Sequence, residues 1–114
     1  MKKILVFDEP EIVSFIESAL GDRCEIVWTS KDEEVAALVK QEKPDIVLMN
    51  YEASDCTRFA KVISGIRAEN AKVPILLMTG RDVMTHMPVE AKGSIFKPFE
   101  KDNLEDMLKR FKIL

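Results

Sequence analysis

Two cysteines, one histidine, one tryptophan and one tyrosine in 114 residues leave little material for several familiar kinds of site. Cys24 and Cys56 have no paired spacing, and with His86 as the lone imidazole they cannot supply the four ligands of a common zinc centre. A single histidine with no neighbouring acid or cysteine set also reads as a surface loop residue rather than acid–base machinery. No apolar run approaches the roughly 18 residues of a membrane span, so no membrane contact is expected. Net charge is −3 with both signs scattered, which gives no basic footprint for nucleic acid. Met1-Lys2-Lys3 leads straight into Ile4-Leu5-Val6-Phe7 and then Asp8, too short a run for a signal peptide, so the expected compartment is the cytoplasm.

What is present is a core-forming sequence. Hydrophobic residues make up 46% of the chain and charged residues 32%, the composition of a globular protein whose length suits one domain, here residues 1–114. Ile4 to Phe7 is a short, continuously apolar run, as in a strand covered on both faces. Ile12, Phe15, Ile16 and Ala19 then recur at helical spacing between Pro10 and Gly21. Glu25 to Thr29 reads as a second strand, and Ser30 with Glu33 as a capping box opening a helix that buries Val35, Leu38 and Val39. Pro44 ends that helix ahead of a third strand, Ile46 to Met49. Ser54 or Asp55 is placed to cap a helix carrying Phe59, Val62, Ile63 and Ile66, and Pro74 to Met78 is the fourth strand.

Ile95-Phe96 marks a short fifth strand. A last helix starting near Lys101 sets Leu104, Met107, Leu108 and Phe111 on one face. Between Gly80 and Gly93 the pattern is poor and leaves room for a turn or two of helix. Unpunctuated strands alternating with helices predict an α/β fold: a doubly wound, mostly parallel five-stranded sheet with helices on both faces. Ligands of such sheets sit beyond the carboxyl ends of the strands. Asp8, Glu9, Asn50, Thr79 and Lys97 all fall at those ends and are expected to form one pocket although they are far apart in the chain.

Adjacent acids suit a hard cation such as magnesium; a hydroxyl and an ammonium suit phosphoryl oxygens. Together with Pro44-Asp45-Ile46-Val47-Leu48-Met49-Asn50, Met78-Thr79-Gly80 and Lys97-Pro98-Phe99, the run Ile4 to Glu9 resembles the receiver domain of bacterial two-component response regulators, over essentially the whole chain. The resemblance implies a flavodoxin-like fold with strand order 2-1-3-4-5. It assigns magnesium to Asp8 and Glu9, a phosphorylated aspartate to the position of Asn50, phosphoryl contacts to Thr79 and Lys97, and a cis bond to Lys97-Pro98. It also places a signalling face on the fifth strand and last helix, around Ser94, Ile95, Phe99 and Leu104.

The departures from that family pattern are concentrated at the pocket. A carboxamide can accept or donate hydrogen bonds but is a very poor nucleophile toward phosphorus, so Asn50 removes the attacking oxygen. Ser94 stands where the family has an aromatic switch residue. The acid loop Asp8-Glu9-Pro10 and the loop Tyr51 to Cys56 are short, and the fourth helix region is shortened and contains Pro88. No residue is assigned a catalytic role, no cofactor is required, and magnesium binding at Asp8 and Glu9 is weakened by the loss of a third carboxylate. An atypical receiver that signals through protein–protein contact, without phosphorylation, is the expected function. The alternatives are a receiver that still takes a phosphoryl group from a histidine kinase or small phosphodonor, and a purely dimerising module. The expected partner is another protein or a second copy of the chain: Lys109 to Leu114 shows no output domain, so any output is expected to come from a partner or from sequence beyond these residues. Trp28 and Tyr51 are further candidate contact anchors, and Met84 and Met87 with Val83 and Val89 a candidate adhesive patch.

Overall fold

A computed structural model describes residues 1–80, 88 and 90–114. Residues 81–87 and 89 lie outside the described residues, and with them His86, the candidate patch of Val83, Met84, Met87 and Val89, and most of the region expected to hold a shortened fourth helix. The described chain runs β1 (Lys2–Phe7), α1 (Pro10–Leu20), β2 (Cys24–Thr29), α2 (Asp32–Glu42), β3 (Ile46–Tyr51), a single 3₁₀ turn (Ala53–Asp55), α3 (Cys56–Glu69), β4 (Ile75–Thr79), β5 (Gly93–Phe96) and α4 (Lys101–Arg110). All strand pairs are parallel and the order is β2-β1-β3-β4-β5.

Side chains alternate across a strand, so each central strand feeds two cores. Ile4, Val6, Ile46, Leu48, Leu76 and Met78 pack with Val13, Ile16 and Leu20 of α1 and Leu104 and Leu108 of α4. Leu5, Phe7, Val47, Met49, Ile75 and Leu77 pack on the opposite face with Val35 and Val39 of α2 and Phe59, Ile63 and Ile66 of α3. This double coverage is why β1, β3 and β4 read as unbroken apolar runs. The edge strand β2 instead leaves Glu25 and Trp28 exposed.

Several helix ends differ from their sequence signatures. The Ser30–Glu33 capping box does not form: Lys31 holds the N-cap position of α2. Thr29 takes over, its hydroxyl donating to Glu34 Oε1 at 2.6 Å and accepting from the Lys31 amide at 3.0 Å. Neither Ser54 nor Asp55 caps α3 through its side chain. A reciprocal box does form at α4, where Glu100 and Asn103 satisfy each other's backbone amides. At the other end of α3, the Arg67 guanidinium donates to the carbonyls of Asn70, Val73 and Glu90, tying the helix terminus to the entrance of β4 and the approach to β5.

Tyr51 is not a surface anchor. It follows Met49 onto the α2/α3 face and is buried with its ring 5.5 Å from that of Phe59. Ile95 and Leu104, expected on the contact face, are also corrected: both are buried in the α1/α4 core, and the exposed aromatic of β5 is Phe96. Strand alternation explains the exchange, since Ile95 shares the side of its neighbour Met78 while Phe96 takes the other.

Candidate functional site

Strand register brings the pocket together. Phe7 pairs with Met49, so the next residues, Asp8 and Asn50, leave their strands side by side, both continuing the Ile4/Val6 and Ile46/Leu48 face. Thr79 pairs with Phe96, which sets Lys97 just past the end of β5. The Lys97 amide donates to the Thr79 carbonyl at 2.7 Å and its peptide bond to Pro98 is cis.

From there the Lys97 side chain spans the end of β4. Its Nζ lies 2.7 Å from Asp8 Oδ2 and donates to Asn50 Oδ1 at 3.0 Å. The Asp8 side chain is 1% exposed and that of Lys97 26%, so the pair is sheltered on the acid side and partly wet on the other. Asp8 Oδ1 accepts the Glu9 amide at 2.7 Å, while Oδ2 meets the Lys97 ammonium as a close ion pair without hydrogen-bond alignment. The Glu9 amide bond to the carboxylate is charge-assisted and of the short, strong kind.

The other expected members are placed less directly. Glu9 is exposed, holds the N-cap position of α1 without a side-chain cap, and makes no ion pair among the described residues. Thr79 is buried at the adjacent strand end. Its hydroxyl has no hydrogen-bond partner among the described residues and makes none with Asn50 or Lys97. Outside that expected set, Glu52, two residues after Asn50, is solvent-exposed.

Magnesium requires near-octahedral oxygen coordination and binds through carboxylates that are free to ligate. The donor set here does not fit it. The one buried carboxylate is taken by Lys97 and a backbone amide, the Asn50 carbonyl oxygen accepts from the same ammonium, and no group of three His, Cys, Asp or Glu side chains among the described residues is arranged to hold a metal ion.

Sequence reasoning missed one further polar site, on the flank between α2 and α3. Arg58 forms a bidentate pair with Asp32, at 2.7 and 2.8 Å, and lies 4.7 Å from the centre of the Phe59 ring. The Arg58 hydrogen bonds hold the Asp32 carboxyl below its ordinary range, and the same bonds raise the guanidinium further. The two residues are 26 apart with no local spacing to signal them; only the packing of α2 on α3 brings them together.

Residues 4–109 match the family model of the response regulator receiver domain. No curated relative matches the chain. Among solved structures, the chemotaxis protein CheY4 of Vibrio cholerae superposes with a TM-score of 0.82 at 24% identity, covering 97% of this chain and 98% of that one. A response regulator from Thermotoga maritima gives 0.83 at 20% identity, with 97% of each chain covered. The receiver domain of a sensor histidine kinase from Pseudomonas aeruginosa, solved with a magnesium ion coordinated in its active site cleft, gives 0.79 at 20% identity over 96% of each.

Proposed function

The chain belongs to the response regulator receiver domain family, and we propose that residues 1–114 form one receiver-like signalling unit that acts by protein–protein contact, without phosphorylation. The observation that carries this reading is the bond from Lys97 Nζ to Asn50 Oδ1. At the place of the family's phosphoacceptor stands a carboxamide, its oxygen already accepting from the lysine that would grip the phosphoryl group. An amide has neither the charge nor the lone-pair availability to attack phosphorus, and no nearby base can change that.

The message must then leave through a surface. The β5/α4 side offers Ser94, Phe96 and Phe99 around a shallow cavity of about 370 Å³ that also includes Asn103, Asp106 and Arg110. The Phe99 ring packs edge-on against Phe15 of α1 at 5.6 Å, so part of that surface is rigidly backed. An aromatic group set among mixed charges suits a protein partner or a second copy of the chain. No described helix is long and apolar enough to cross a membrane, and we place the unit in the cytoplasm, where the family's histidine kinases signal.

Incubation with magnesium and acetyl phosphate, followed by intact-mass measurement, tests the reading: the mass is expected to stay unchanged. A stoichiometric phosphoryl adduct lost on changing Asp8 or Asp55 would overturn it. Light scattering across micromolar concentrations separates a self-associating unit from one that needs a different partner.

A further inference from the structure

The misfit between this crevice and magnesium has a specific cause in the fold. We infer that Lys97 is the crevice's resident cation: its ammonium supplies from within the chain the positive charge that Asp8 would otherwise draw from solution, and it locks β5 to β1 and β3.

Three observations carry this. The Lys97 Nζ lies 2.7 Å from the buried Asp8 carboxylate as an ion pair and donates to the Asn50 carbonyl oxygen at 3.0 Å, so one ammonium faces both oxygens across the β1/β3 junction. The remaining Asp8 oxygen is closed by the Glu9 amide. And because residue 50 is a neutral amide, the charges of Asp8 and Lys97 cancel. A divalent ion added to that set would leave it strongly positive in a place shielded from solvent on the Asp8 side. A carboxylate at position 50 would instead leave the set negative and receptive to a cation. The substitution that removes the nucleophile therefore also balances the crevice without metal. Each of the strand ends involved loses its freedom when the ammonium is seated, which makes Lys97 a fixed strut and not a switch lever.

The test is thermal unfolding of the full chain in magnesium chloride against sodium chloride of equal ionic strength. The native chain is expected to melt at the same temperature in both. Lys97→Met, close in shape but neutral, is expected to melt lower by about 10–20 °C, because it leaves a buried carboxylate unpaired, and to regain part of that loss in millimolar magnesium. The double variant Asp8→Asn with Lys97→Met is expected to melt above Lys97→Met alone, since neither charge is then stranded. A magnesium-specific rise in the native chain would overturn the inference, as would a Lys97→Met protein that melts like the native one or a double variant whose losses simply add. Should Lys97→Met fail to fold, isothermal titration of magnesium into the native chain decides: measurable binding at millimolar concentration overturns the inference and a flat titration supports it. These outcomes are independent of the phosphodonor experiment, because a chain that binds magnesium could still fail to accept phosphate.

Discussion

Two of the acid–base pairs among the described residues share chemistry and differ in setting. Asp32–Arg58 lies on the flank between two helices, with side chains 34% and 40% exposed; Asp8–Lys97 closes the crevice, with an acid 1% exposed. On the flank, water screens the charges and the bidentate geometry sets the strength, so the pair contributes modestly and its loss is forgiven. In the crevice the carboxylate has no access to water and depends on its partners entirely. Contact distance alone does not rank the two: both pairs come within 2.7 Å, yet only one leaves a stranded charge when broken.

Matched truncations would break this comparison most directly. Asp8→Ala is expected to cost about 2–4 kcal/mol in urea unfolding, because it orphans the Glu9 amide, opens a small void and frees the ammonium. Asp32→Ala is expected to cost no more than about 1 kcal/mol; equal losses would show that burial is not what separates the pairs. Asn50→Asp sharpens the crevice side. Added beside Asp8, the second carboxylate is expected to lower stability by about 1–2 kcal/mol without magnesium and to make the melting temperature respond to magnesium, measurable by calorimetry with and without the ion.

The smallest effect concerns acid on the flank. Asp32 titrates below its ordinary value of 3.8 because Arg58 bonds its ionised form, so the pair's contribution is complete above that value and is lost as pH falls through the lowered one. Arg58→Met is therefore expected to cost about 0.5–1 kcal/mol near neutrality. The gap from the native chain should close on acidification below about pH 3.8. A gap that persists at pH 2 would assign the Arg58 contribution to packing on Phe59 instead.

The strands and the residues at their ends were legible because double-sided burial writes uninterrupted apolar runs and the fold sends their carboxyl ends to one crevice. Asp8, Asn50 and Lys97 were found that way. Side-chain direction was less legible. Tyr51 looked like an anchor by residue type, yet its position two after Met49 puts it in the core; Ile95 and Leu104 were likewise assigned to a surface by resemblance when strand parity and the apolar face of α4 bury them. Capping signatures misled where a tertiary competitor was better placed, as when Thr29 engaged Glu34 and left Ser30 out. The Asp32–Arg58 pair had no signal in the chain at all, since its geometry arises from how two helices dock.

Arg67 has a consequence for how this molecule can vary. Its guanidinium fixes the Glu90 carbonyl, and the Lys92 amide donates to Ile75 at 2.9 Å, so the approach to β5 is registered on β4 by contacts of its own. Insertions or deletions between residues 80 and 90 are therefore expected to leave that register, and with it the seat of Lys97, in place.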